Sequence, residues 1–287
     1  MYTAPITRKQ KAAIILLIDQ SGSMQEIINF QRSRMSKAEA ASYFANLLIE
    51  ELINRSRRND GVYDYFDIMV LGYHGEVVES LISDKIEFQP ISRLYFKVVA
   101  SKTHYIERKI PNTDNYVSAA VSYKCWVTPK AEDSTPMFTA LMQCEKAAKR
   151  WSSRPEHRNS FPLLVINITD GEASDSDNMM LLNISERIKS ISTADGNTLF
   201  FNIHLATSED SEQIVKFPSL SEKLPENRLT QLLYDMSSTL PDCYNDIISE
   251  IKGNLCTPPF KAMCYNCSGE DLIKILSIGS VSLDKTI

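Results

Sequence analysis

The sequence predicts an α/β fold: a doubly wound, mostly parallel central sheet flanked by helices on both faces, with an inserted β-rich segment. Three observations carry this. Short apolar runs (AAIILLI at 12–18, PLLVINI at 162–168, TLFFNIHLA at 198–206) read as strands, the first, continuously apolar, as one buried on both faces. Segments with helical periodicity separate them, and strands alternating with helices imply such a sheet. Two of the runs end abruptly in an acid, Asp19 and Asp170, at the carboxyl ends of strands, where open α/β sheets bind ligands.

The elements follow in order. After strand 12–18 comes MSKAEAASYFANLLIEELINRSRR, where Ser36 and Glu39 stand at capping-box spacing and Ala41, Phe44, Ala45, Leu48, Ile49, Leu52 and Ile53 recur at helical intervals. That predicts a long amphipathic helix. YFDIMVLGYHGEVV (65–78) reads as a strand, a tight turn at His74 and Gly75, and a partner strand. A helix is expected over 137–151, a strand within FPLLVINITDGEASD, a helix over 177–193, the strand 198–206, and a helix over 225–238 in which Pro225 suits the first turn. Residues 90–130 break the alternation with short β-like pieces between polar turns, and read as an insertion or embellished edge. From 240 onward a helix (242–253), a short strand (261–265) and a closing helix (270–278) are expected to complete one domain spanning 1–287.

Bulk properties exclude several function classes. The chain has 287 residues, 43% hydrophobic and 23% charged, the balance of a globular protein with a sizeable core. There are 31 basic against 36 acidic residues, net charge -5, and no long basic run, so the footprint that nucleic-acid binding needs is missing. The apolar stretch near the N-terminus is seven residues long and ends in Asp19 without a small-residue cleavage site, unlike a secretory signal. No run approaches the roughly 18 to 20 apolar residues of a membrane span. A cytoplasmic protein without nucleic-acid or membrane partners is expected, with Cys125, Cys144, Cys243, Cys256, Cys264 and Cys267 as thiols.

The acid-ended strands carry the chemistry. DQSGSM delivers Asp19, Ser21 and Ser23 to the sheet rim; DSTPMF places Thr135 before a helix; INITDG brings Asp170. Oxygens gathered at one rim suggest a cation. Singly, each motif has a plain reading: Asp before Ser-Gly forms a turn, Thr-Pro caps a helix and supplies its first-turn proline, and TDG marks a turn. None of these explains three such motifs at sheet ends in one order. Together they resemble the von Willebrand factor A (vWA) family: DQSGSM matches its DxSxS pattern, STPMFTAL its second metal loop and INITDGEASD its third. WVTPKAEDSTPM and MCYNCSGEDLIKIL are similar to intracellular bacterial members, including the tellurium-resistance type. The resemblance covers most of 10–280 and departs at Asp133 and Ser134, where the family often has two glycines.

The resemblance implies a Rossmann-like vWA fold with a metal-ion-dependent adhesion site at its top. Ser21, Ser23 and Thr135 would coordinate through hydroxyls, and Asp19 and Asp170 would act directly or through water. Such hard donors suit Mg²⁺, or Mn²⁺ or Ca²⁺ more loosely. With two carboxylates, partly through water, the ion stays electrophilic and keeps a position for a partner's Glu or Asp. The expected function is therefore a non-catalytic, metal-dependent protein-interaction module. The resemblance further implies an adaptor or regulator in a bacterial multi-gene stress-response or defence system, with an ATPase, kinase or phosphatase of the same locus as partner.

Other readings are weaker. A Mg²⁺-dependent phosphoryl-transfer enzyme could use Asp19 as nucleophile. A haloacid-dehalogenase-like site would then want an acid at Ser21, and no GxxxxGK[ST] loop occurs. An exported adhesin would want a signal sequence. CYNC at 264–267 has zinc-like spacing but lacks four ligands, with Cys256 as a third at most; thiols along an edge strand are the expectation. His74, His104, His157 and His204 form no paired motif. Glu172, Asp175 and Asp177 are expected to favour the next helix N-terminus through its dipole, with an auxiliary cation as the alternative.

Overall fold

The computed structural model describes residues 2–30, 33–109, 113, 115–206, 214–253 and 257–267. Its main elements are β1 (Ala12–Asp19), an antiparallel pair β2 (Ile27–Phe30) and β3 (Ser33–Ser36), α1 (Lys37–Ser56), β4 (Phe66–His74), β5 (Val77–Ser80), α2 (Ile91–Tyr95), a second antiparallel pair β6 (Ala100–Lys109) and β7 (Tyr116–Cys125), α3 (Met137–Ser152), β8 (Leu164–Thr169), α4 (Asn178–Lys189), β9 (Leu199–His204), β10 (Val215–Lys216), α5 (Arg228–Met236), α6 (Asn245–Lys252) and β11 (Met263–Tyr265).

Side chains alternate across a strand, and β1 buries both sets. Ala12, Ile14, Leu16 and Ile18 join the core beneath α1, whereas Ala13, Ile15 and Leu17 join the core built from α3, α4 and α5. Two covered faces explain why the run shows no polar alternation. The sheet order is β10-β11-β9-β8-β1-β4-β5, with a two-residue strand, Gln89–Pro90, added beside β4. Neighbours from β11 through β4 are parallel; β5 and β10 run antiparallel at the two edges. From β1 the chain crosses to β4 on one side and later returns to β8 on the other. The strand order therefore reverses between β1 and β8, which opens a crevice at their carboxyl ends.

Helix α1 starts as its sequence predicts. Ser36 Oγ accepts the Glu39 N–H at 3.1 Å and the Glu39 carboxylate accepts the Ser36 N–H at 2.8 Å, a complete capping box. Helix α5 starts later than expected, at Arg228, because Asn227 caps it by accepting the Leu229 N–H at 2.8 Å; Pro225 lies ahead of the helix. His74 still belongs to β4, so the turn sits at Gly75 and Glu76, Gly75 having φ +55°. The helix expected over 242–253 is a 3₁₀ turn, Asp242–Tyr244, followed by α6, which stops on Gly253 at φ +77°. The late strand is confined to Met263–Tyr265. The closing helix expected over 270–278 lies outside the described residues.

The insertion differs from the expected scatter of short pieces. It contains α2, too short to show a period, and one long antiparallel pair, β6 and β7, that forms its own sheet. That pair packs on α1, with Tyr123 edge-on to Tyr43 at 4.8 Å. Asn46 of α1 pins its end. Its Oδ1 accepts the N–H groups of Trp126 and Val127 at 2.8 and 2.9 Å, and its Nδ2 donates to the Val127 carbonyl at 2.9 Å. Asn46→Ala leaves buried backbone groups unpaired, so a loss of about 3 kcal/mol is expected. Urea denaturation measures it, and limited proteolysis within 96–128 should quicken. Among the described residues no helix is long and apolar enough to cross a membrane.

Candidate metal centre

Asp19 ends β1 in register with Tyr73 of β4, and its carboxylate is wholly buried. Oδ1 accepts the Ser21 N–H at 2.9 Å, the local turn bond expected of Asp before Ser-Gly, and Oδ2 accepts the Thr169 hydroxyl at 2.6 Å. The turn presents Ser21 Oγ and Ser23 Oγ 3.2 Å apart. Ser23, exposed at the rim, donates to Asp170 Oδ1 at 2.8 Å. Asp19, Ser21, Ser23 and Asp170, from two segments about 150 positions apart, thus form one connected oxygen cluster.

Thr135 arrives from the loop before α3. Its hydroxyl does not cap that helix, contrary to the plain reading of Thr-Pro. The first-turn N–H groups of Phe138 and Thr139 instead donate to the Asp175 carboxylate at 3.0 and 2.8 Å. Asp175 therefore serves α3 rather than the next helix, while Asp177 caps α4 by accepting the Met180 N–H at 2.8 Å. Thr135 and Ser174 lock the two loops together: the Thr135 N–H donates to Ser174 Oγ at 3.0 Å, and the Ser174 N–H to the Thr135 carbonyl at 2.9 Å. Asp175→Ala is expected to cost about 1 to 2 kcal/mol as a lost helix cap, read in a denaturation curve. A methyl group built on Gly171 would lie 3.7 Å from Ser23 Oγ and 3.9 Å from Thr135 Oγ1. All three loops therefore meet at Gly171, and the absent side chain leaves the hydroxyls facing a shared space.

In the loop before Thr135, Asp133 adopts φ +57°. Asp is among the few residues that tolerate this conformation. Its carbonyl accepts the Gly22 N–H at 2.9 Å, and the carbonyl of Ser134 accepts the Gly75 N–H at 2.9 Å. The first of these backbone bonds joins the first and second loops.

Two further residues belong to the cluster. Lys37, the first residue of α1, donates from Nζ to Asp170 Oδ2 at 2.7 Å and to Glu26 Oε2 at 2.6 Å. The Lys37 and Asp170 side chains are 1% and 0% exposed, and that of Glu26 is 50% exposed. A lysine opening a helix, where the dipole disfavours a cation, was the available signal in the sequence. Burial pushes the Asp19 carboxyl up to about 6, and Asp170 adds to the rise, against the lowering by its hydrogen bonds with Ser21 and Thr169. Burial, and then Lys37, hold His204 at the end of β9 down to about 4. Three carboxylates and one ammonium leave two negative charges. Hydroxyl and carboxylate oxygens with that net charge fit a hard divalent ion.

The remaining candidates separate from this centre. Cys264 and Cys267 are buried in the core, and Cys267 donates its S–H to the Val215 carbonyl at 3.1 Å; Cys256 lies outside the described residues. His157 stacks on Trp151 at 3.9 Å and hydrogen-bonds its carbonyl, a packing role; the side chain of His104 lies outside what is described. Among the described residues, His74, Glu132 and Asp133 bring ligand atoms within 4.8 Å of one another. Lys130 Nζ already stands there, 2.8 Å from His74 Nε2 and 3.7 Å from Glu132.

No protein-family model matches the chain, and no curated protein matches it. Solved structures similar to it include a von Willebrand factor type A protein from Catenulispora acidiphila, at 15% identity and TM-score 0.40, over 68% of this chain and 33% of that one. The PilB minor pilin from Streptococcus sanguinis aligns at 10% identity and TM-score 0.42, over 96% and 61%. The vWF domain of the type V pili tip protein Mfa5 from Porphyromonas gingivalis aligns at 11% identity and TM-score 0.32, over 60% and 48%. The chain spans about a third of the length of the first of these and less than two thirds of the other two.

Proposed function

We propose that this protein is a vWA-type, divalent-metal-dependent protein-interaction module of the intracellular bacterial kind. One observation carries the reading: the oxygens of Asp19, Ser21, Ser23 and Asp170 cluster at the point where the strand order reverses, and the loop of Thr135 closes on them through Gly171 and Ser174. Ser21, Ser23 and Thr135 would hold Mg²⁺, or Mn²⁺ or Ca²⁺, with Asp19 and Asp170 as its charge partners. Bound there, the ion supplies a Lewis-acidic position for a carboxylate. Asp170 is kept in place by Ser23 and Lys37, and Ser23 lies at the exposed rim where a partner's Glu or Asp can approach.

The role is binding rather than catalysis. Both carboxylate oxygens of Asp19 are engaged by Ser21 and Thr169 and the residue is buried, which disfavours Asp19 as a phosphoryl-accepting nucleophile. The setting is the cytoplasm, and the partner is an acidic surface on another protein, such as an ATPase, kinase or phosphatase of the same stress-response, defence or tellurium-resistance-like locus. Affinity purification in Mg²⁺ against EDTA, with Ser23→Ala alongside, tests this. A partner held in Mg²⁺, released by EDTA and lost with Ser23→Ala is expected; retention in all three samples overturns the metal bridge.

A further inference from the structure

We propose that Lys37 is a resident counter-ion of this centre, an ammonium that preassembles the acidic cluster before a divalent ion binds and holds the ion's affinity down. The inference rests on the metal-binding reading above and assigns a role to a residue outside its ligand set. Lys37 is fixed from both ends of its own structure. Its backbone N–H donates to the Glu26 carbonyl at 3.0 Å, and its Nζ bridges the carboxylates of Glu26 and Asp170. With 1% of its side chain exposed, it has no solvent to turn to. Asp170 consequently has both oxygens engaged, Oδ1 by Ser23 and Oδ2 by Lys37.

The physical consequence runs through charge. Buried carboxylates without a cation repel one another and resist desolvation, so an apo site built only from acids would splay or protonate. Lys37 offsets one of those charges. An incoming divalent ion must then bind beside a fixed positive charge, which weakens it and leaves it more receptive to an anionic ligand. Glu26, half exposed, shares the ammonium and tempers its hold on Asp170.

The test is Mn²⁺ titration followed by the electron paramagnetic resonance of the free ion, with thermal melts in EDTA and in Mn²⁺. Lys37→Met should bind Mn²⁺ about tenfold tighter than wild type, melt lower in EDTA, and recover more on adding Mn²⁺ than wild type gains. Lys37→Arg, which keeps the charge, should bind within a few fold of wild type. Glu26→Gln, which retains Lys37 and leaves it to Asp170 alone, should bind severalfold more weakly, and adding Lys37→Met to that variant should tighten binding again; the double variant decides the matter if Lys37→Met alone folds only with metal present. Wild-type binding with Lys37→Met equal or weaker, or Glu26→Gln unchanged, overturns the counter-ion role while leaving the metal site standing. Absence of Mn²⁺ binding by wild type overturns both.

Discussion

Asp170→Ala should destabilise the metal-free protein by about 3 kcal/mol, the lower end of the range for breaking a buried ion pair from one side. The substitution strands the Lys37 ammonium, which is 1% exposed and 2.7 Å from the lost carboxylate. It also removes the acceptor of the Ser23 hydroxyl. The cost stays near the lower end because Glu26 remains 2.6 Å from the same ammonium and reaches solvent. Ser23 is exposed and can turn to water, so its share is small. Urea denaturation in EDTA measures the difference. A loss below about 1 kcal/mol, the scale of a surface pair, would show that Lys37 and Asp170 do not form a desolvated pair.

Asp19→Asn should act in the opposite direction. Burial pushes the Asp19 carboxyl up to about 6 in the folded metal-free protein, against 3.8 for an unperturbed aspartate. Stability from its protonated form is complete below pH 4 and is lost as pH rises through 6, because the unfolded chain releases the proton first. At pH 7.5 the buried carboxylate therefore costs about 3 kcal/mol. Asparagine can keep both hydrogen bonds, accepting from the Ser21 N–H and donating to Thr169 Oγ1, without the charge. In EDTA at pH 7.5 the variant should be about 2 to 3 kcal/mol more stable than wild type, a gap that closes by pH 4. Mg²⁺ should stabilise wild type and leave Asp19→Asn unmoved. Greater wild-type stability in EDTA at pH 7.5 would contradict this account of the buried acid.

What the sequence made legible, and what it hid, follows from the range of each signal. The β1 run and the capping box of α1 were readable because burial on two faces and an i, i+3 side-chain exchange are local patterns. The candidate site was readable because Asp19, Ser21, Ser23, Thr135 and Asp170 each sit at an element boundary. Asp175 was misplaced by reasoning along the chain: its carboxylate caps α3, 37 positions away from Phe138, and only tertiary structure brings that helix end to it. Asn46 was hidden for the same reason, since the groups it satisfies lie about 80 positions away. The role of Lys37 depends likewise on distant chain, since its burial follows from where the loop after β8 delivers Asp170. The start of α5 moved because Asn227 offered a better cap than the proline upstream.

Isothermal titration of Mg²⁺ into wild type and Thr135→Ala is the most direct test of the central claim, that three distant loops meet to hold one divalent ion. The Thr135 hydroxyl does not cap α3, so its removal should leave folding intact and strike at the ion alone. Wild type should bind one Mg²⁺, with an affinity lower by about tenfold or more in the variant. A wild type that takes up no Mg²⁺, or a Thr135→Ala variant that binds it as well as wild type, would contradict the claim.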